Sequence, residues 1–313
     1  MANEKCQIMS NEKWKMIRSD ALNGARLSFI GCGVMAEAII AGLLSKNLVK
    51  PGQIVGSHPS KGRREELQGK YGISAVESNR EAAGYHRPSG SGYAPPSVTE
   101  EEHRSSIVIL TVKPQRLGVV LGDLKEAVHA EQLVISIVAG ARLETLADAL
   151  QHKSLVRAMP NTPAQIGEGM TVWTATPEVS EEQLAQIQAI FGALGREMHV
   201  EEERMIDMAT ALSATGPTYT FLVMEALIDA GVHMGFSRHV AEELVLQTML
   251  GSVLFARESR KHPAELRNMV TSPGGTSAEA IYQMEKGGLR TVLSKAVWAA
   301  YQRATALGRK TKE

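Results

Sequence analysis

From Ala25 to about Val200 the chain alternates short, unbroken apolar runs with segments of helical periodicity. Leu27–Ile30, Gln53–Val55, Ile107–Val112, Leu133–Val138, Leu155–Met159, Met170–Trp173 and Met198–Val200 read as strands. Between them, Val34–Ser45, Lys61–Lys70, Pro114–Val128, Leu143–Leu150 and Glu181–Phe191 read as helices. Strands that are apolar at every position are buried on both faces. The pattern therefore predicts a doubly wound, mainly parallel sheet with helices on each side.

After Glu201 the rhythm changes. Met205–Leu212, Tyr219–Met234, Arg238–Ser259, Ser277–Lys286 and Leu289–Leu307 read as helices, with almost no strand signal. Tyr219–Met234 is apolar around most of its circumference, with Glu225 and Asp229 its only charges, and such a helix is normally buried on all sides. So small a helical unit can bury it only against a second subunit, which predicts a homo-oligomer. The expected organisation is a polar extension over 1–24, an α/β domain over 25–200 and an all-α domain over 201–313. One segment breaks the rhythm: Gly84–His103 is rich in Gly, Pro and Ser and ends in acids, the composition of a surface loop.

Charge narrows the partners. Lys+Arg and Asp+Glu are equal at 34 each, which gives no reason to expect nucleic acid or an anionic membrane. Only Cys6 and Cys32 occur, so a disulfide framework is not expected and a reducing cytoplasm fits. The first residues are polar and include Glu4, Glu12 and Asp20, which predicts neither a signal nor a transit peptide, and no apolar run has the length of a bilayer span. The histidines are scattered without His-x-x-x-His spacing, and Cys-x-x-Cys is absent, so no metal is expected.

Leu27–Ile40 carries a strand, a G-x-G-x-x-A turn and a helix, with Gly31, Gly33 and Ala36 at the key positions. The first glycine permits the tight turn, the second admits a pyrophosphate to the backbone, and the small Ala36 lets helix and strand pack closely. The phosphates of a dinucleotide then lie at the helix N-terminus. The next strand leads into Ser57-His58-Pro-Ser60-Lys61-Gly-Arg63-Arg64, with no acid until Glu65. Enzymes selective for NADH usually place an acid there to bind the ribose 2′-hydroxyl. Hydroxyls with Lys61 and Arg63 suit a 2′-phosphate, so NADPH is the expected cofactor and NADH the alternative.

A second stretch, Val270-Thr-Ser-Pro-Gly-Gly-Thr-Ser-Ala-Glu-Ala-Ile281, breaks the helical half. Gly274 and Gly275 lead into a helix beginning near Thr276 or Ser277. The unpaired N–H groups at such a start can seat a carboxylate, with the two hydroxyls adding bonds.

Taken together these blocks resemble the pyrroline-5-carboxylate reductases. The most specific match is Thr271–Ser277 followed by Glu285–Arg290. Supporting blocks are Thr111–Pro114, Ile137–Gly140, Arg157–Ala164 and Gly216–Tyr219. The resemblance implies reduction of a cyclic imine to L-proline, a Rossmann domain followed by an all-α dimerisation domain, an interlocked homodimer and, in some members, a larger ring of dimers. It also implies dinucleotide contacts at Ile30, Gly31, Cys32, Gly33, Val34, Met35, Ser57, Asn79, Thr111, Val112, Lys113, Pro114, Ile137, Val138 and Ala139. Substrate contacts carry over to Glu168, Thr276 and Ser277. Ser277 stands where the family usually has a second Thr, and Ala214-Thr-Gly-Pro217 where it has Gly-Ser-Gly-Pro.

An N-cap is the alternative role for Ser277, a solvated loop acid for Glu168, and a turn cap rather than a substrate ligand for Asn161. The β-hydroxyacid dehydrogenases share the architecture but need a helix lysine, and no lysine occurs between Arg204 and Lys261. A reductase acting on another cyclic imino acid and a non-catalytic dinucleotide-binding protein remain as alternatives.

Overall fold

A computed structural model describes residues 20–84 and 106–308. Most of the expected extension, and residues 85–103 of the expected surface loop, lie outside them. The described chain divides into two compact units, Thr215–Ala300 and the remainder.

The first unit is built on β1 (Leu27–Ile30), α1 (Val34–Ser45), β2 (Ile54–Ser57), α2 (Lys61–Tyr71), β3 (Ser74–Val76), α3 (Asn79–Ala82), β4 (Ile107–Leu110), α4 (Leu117–Leu124), β5 (Leu133–Ser136), α5 (Leu143–Leu150), β6 (Leu155–Met159), β7 (Gly169–Ala175), α6 (Glu181–Gly192) and β8 (Gly195–His199). The strands form one sheet in the order β3-β2-β1-β4-β5-β6-β7-β8. All neighbours run parallel except β6 and β7. Both faces are covered, as the unbroken apolar runs require: Phe29, Ile39 and Phe191 lie in the core on one side, and Ile30, Leu110 and Leu146 on the other. Strand order reverses between β1 and β4. A crevice at such a switch point is where open α/β sheets bind ligands.

Several elements differ from their sequence expectation. The segment expected as one helix over Pro114–Val128 begins as a 3-10 turn at Pro114–Arg116 and ends its α-helical part at Leu124. After β8, α7 (Arg204–Ala209) widens into a π-helical turn over Thr210–Ala214, where the sequence pattern predicts a single helix over Met205–Leu212. Strand β3 and helix α3 carry no apolar run long enough to announce them.

The second unit holds α8 (Gly216–His233), α9 (Arg238–Ser259), α10 (Pro263–Met269), α11 (Thr276–Lys286) and the first part of α12 (Leu289–Leu307). Helix α10 has no counterpart in the sequence pattern; Pro263 at its start and the His262 side chain, which accepts from the Ala264 amide, set its N-terminus. Gly231 lets α8 approach α9, because an added Cβ there falls 3.0 Å from the Ala241 methyl. Only Gly231 of α8 is buried within the single chain. Phe221, Leu222, Leu250, Val253 and Trp298 are all more than half exposed, so the apolar circumference of this unit is left for a partner.

Candidate active site

Two constraints fix the bend after β1. Gly31 has φ +92°, and a Cβ there would fall 2.4 Å from Val112 Cγ1. Neither the left-handed backbone nor the Val112 contact tolerates a side chain. Gly31 N–H and Cys32 N–H both donate to the Ser57 carbonyl, at 3.2 and 3.1 Å, and Gly33 N–H donates to the Gly31 carbonyl at 2.9 Å. The amides that open α1, Val34 and Met35, lack intrahelical acceptors. Nothing lies within 4 Å of a Cβ built on Gly33, so there is room for a phosphate group, and Val34 beside it is 63% exposed. Ala36 is fully buried, as close helix–strand packing requires.

The other expected cofactor residues fall into distinct places. Ser57 is buried beneath the bend, where its hydroxyl donates to Asn79 Oδ1 at 2.8 Å and accepts from Gly31 N–H at 3.3 Å. Asn79 in turn donates to Asp123 at 3.0 Å, a partner with no local sequence signal. The Thr111 hydroxyl donates to the Gly31 carbonyl at 2.6 Å, joining the end of β4 to the bend. Lys113 and Pro114 are exposed at the 3-10 turn beyond it. Across the next strand, Ile137 N–H donates to the Leu110 carbonyl, Val138 is buried, and Ala139 is half-buried. Gly140 follows with φ +77°, packed so that a Cβ would meet the Leu307 carbonyl group at 2.8 Å.

Cys32 fills the turn, and Arg63 is drawn into ion pairs. The Cys32 side chain points into the core, where a Cβ on Gly56 would touch its sulfur. Burial pushes its thiol up to about 12, so it is held as a neutral filler. Arg63 is bound by Glu37, by Glu66 at 2.8 Å and by the Cys32 carbonyl at 3.1 Å. Lys61 is exposed, with only a loose pair to Glu65 at 3.7 Å.

Near the end of the sheet, Asn161 does not cap the following 3-10 turn (Thr162–Ile166) with its side chain, contrary to expectation. Its Oδ1 accepts from Met170 N–H at 2.9 Å, and its Nδ2 donates to the Ser213 carbonyl at 3.3 Å, joining β7 to the π-helical turn. A more distant tie crosses the same region. Arg157, 1% exposed, pairs with Glu203 at 2.9 Å and with Asp207, anchoring α7 to β6. Glu168 is exposed, and its N–H donates to the Pro163 carbonyl.

Within the second unit, Gly274 turns the chain with φ +69°, and Gly275 is the N-cap of α11. A glycine cap has no side chain to satisfy the helix start. Thr276 and Ser277 are the first two helical residues, and their amides and hydroxyls have no partner among the described residues. Ser277 is therefore not the capping residue. Among the described residues no group of three or more His, Cys, Asp or Glu side chains could hold a metal ion.

The geometry is that of a dinucleotide-binding sheet joined to a helical unit with an open helix start, and similarity to known proteins agrees. Residues 203–307 match the family model described as pyrroline-5-carboxylate reductase dimerisation, and residues 26–86 match one described as NADP oxidoreductase, coenzyme F420-dependent. The pyrroline-5-carboxylate reductase of Synechocystis sp. is 40% identical over 285 residues, covering 91% of this chain and 99% of that one. The chain belongs to the pyrroline-5-carboxylate reductase family. The family's enzyme from Escherichia coli is 35% identical, covering 91% of this chain and 98% of its own. Among solved pyrroline-5-carboxylate reductase structures, that of Plasmodium falciparum with NADP bound has a TM-score of 0.79 at 31% identity, covering 91% of this chain and 98% of that chain. The Coxiella burnetii structure also has a TM-score of 0.79, at 33% identity, covering 92% and 100%. Membership makes the chain an oxidoreductase, and the dimerisation match over its exposed apolar helices makes it a homo-oligomer. No helix of the described residues is long and apolar enough to cross a membrane.

Proposed function

We propose that this protein reduces L-1-pyrroline-5-carboxylate to L-proline, the last step of proline biosynthesis, with NADPH as the preferred donor and NADH as the weaker one. The reduced nicotinamide, when bound, supplies the hydride. The amides of Val34 and Met35 hold the pyrophosphate against the helix start, and Ile30, Thr111–Pro114 and Ile137–Ala139 line the path to the nicotinamide end. NADPH is preferred because the loop after β2 presents Ser60 and Lys61 and no acid.

The observation that carries the reaction is the open start of α11. Gly274 and Gly275 clear the backbone, and the amides of Thr276 and Ser277 donate to the substrate carboxylate with help from the helix dipole. The Ser277 hydroxyl, free of capping duty, faces the ring nitrogen and stabilises its protonated form. An iminium accepts hydride far better than a neutral imine, and orientation then does most of the work. Thr276 adds a hydrogen bond to the carboxylate. Two chains interlock through α8 to α12, and dimers of this kind can close into a larger ring. The cytoplasm is the proposed compartment, which a chain with only two cysteines suits.

The test is turnover of purified protein with five- and six-membered cyclic imino acids and with each nucleotide. Pyrroline-5-carboxylate should be the better substrate and NADPH the better donor. A clear preference for the six-membered ring would instead assign the chain to a related imine reductase.

A further inference from the structure

Arg63 occupies the position where a 2′-phosphate ligand is expected, but its guanidinium is already engaged. The side chain is only 18% exposed. One terminal nitrogen pairs with Glu37, the other with Glu66 at 2.8 Å, and Nε donates to the Cys32 carbonyl at 3.1 Å. Glu37 lies in the first turn of α1 and is itself held by Lys70 and Tyr71 of α2, each at 2.8 Å. Those bonds, from Lys70 first and then Arg63, hold the Glu37 carboxyl down at about 2, so it stays ionised throughout the neutral range.

The Cys32 carbonyl belongs to the same rigid peptide plane as the Gly33 amide. That amide donates to the Gly31 carbonyl at 2.9 Å. Glycine at 33 offers little resistance to a flip of this plane. A flipped plane would turn a carbonyl dipole toward the phosphates and leave the Gly33 amide without its acceptor.

We infer that Arg63 is a positioning residue of the dinucleotide site: oriented by Glu37, it clamps the Cys32 carbonyl, fixes the Cys32–Gly33 peptide plane, and leaves the 2′-phosphate to be read elsewhere on the loop between β2 and α2. Arg64 is committed differently, to the His58 and Pro59 carbonyls at 2.7 and 2.9 Å and to Glu77. Lys61 is the cation left exposed. The inference rests on the dinucleotide reading of the Gly31–Ala36 bend.

The experiment is fluorescence titration of NADPH and of NADH against the intact oligomer, comparing wild type, R63Q, E37Q and the double variant, with thermal melts alongside. Loss of the clamp should raise Kd for both nucleotides by the same factor, about tenfold, the size expected for one hydrogen bond to a charged group. The double variant should be little worse than R63Q, because the two residues act as one device. R63K is the milder variant should R63Q fold poorly, and it should weaken both nucleotides alike. A loss confined to NADPH in R63Q, or tighter NADPH binding in E37Q as Arg63 is freed, would overturn the inference. So would lowered melting temperatures with both Kd values unchanged. Failure of the wild type to bind either nucleotide would overturn the dinucleotide reading, and this inference with it.

Discussion

Gly31 and Val112 are packed so closely that the chain admits no side chain between them: a Cβ on Gly31 would lie 2.4 Å from Val112 Cγ1, at a φ of +92°. The contact joins the loops after β1 and β4, the two strands at which the sheet order reverses. Gly31→Ala should therefore cost about 1–3 kcal/mol of stability through strain and overpacking, and it should abolish measurable NADPH binding. Chemical denaturation and a binding titration on the same sample check both effects.

Gly33→Ala gives the contrasting outcome. Its Cβ would meet nothing within 4 Å, so the melting temperature should stay within about a degree or two, as for surface substitutions. Nucleotide Kd should nevertheless rise more than tenfold, because the methyl takes the room left for a phosphate. Unchanged affinity would mean that the phosphates do not approach the backbone there.

Ser277→Ala separates chemistry from capping. Gly275 is the N-cap, so removing the Ser277 hydroxyl should change stability by no more than about 0.5 kcal/mol. A fall of more than tenfold in kcat/KM, with nucleotide Kd unchanged, is the expected kinetic result. Activity within a factor of two of wild type would remove Ser277 from the substrate site.

Glu197 makes a pH prediction. It is buried on β8 and accepts from the Trp173 indole N–H, and burial raises its pKa while that bond lowers it less. A carboxyl with a raised folded-state pKa binds its proton more tightly folded than unfolded. Stability is then lost as pH rises from the unfolded value near 4.5 through the folded value. Glu197→Gln keeps an acceptor for the indole and removes the titration. Its stability relative to wild type should be greater at pH 8 than at pH 4, in denaturation measured at one fixed protein concentration. A constant difference across that range would contradict the assignment.

Leu222→Asp tests the assembly. The side chain is 66% exposed on α8 in the single chain, at odds with so apolar a helix unless a partner covers it. Light scattering should show a monomer, and turnover should be lost with it.

How far the sequence could be read depended on whether a feature was local. Ile107–Leu110 is an unbroken apolar run and identified itself as a central strand, whereas Ser74–Val76 is a three-residue edge strand with an exposed serine and left no such trace. The reversal of β7 against β6 depends on a connection through the turn at Thr162–Ile166, which periodicity does not encode. Residue type and spacing were enough to place Gly31, Gly33 and Thr276 at their turns. Neither Glu37 nor Asp123 was found, because each acts through a partner on another element, Arg63 in one case and Asn79 in the other. Arg63 shows the same limit in reverse: its charge suited a phosphate, but the ion pairs that occupy it form only on folding.

The most direct measurement is an experimental structure of the assembled protein with NADP and L-proline bound. The proline carboxylate should accept hydrogen bonds from the Thr276 and Ser277 amides at about 2.7–3.2 Å, with the ring carbon facing the nicotinamide. A start of α11 more than about 10 Å from the nicotinamide in every subunit, beyond the reach of any hydrogen bond, would contradict the account.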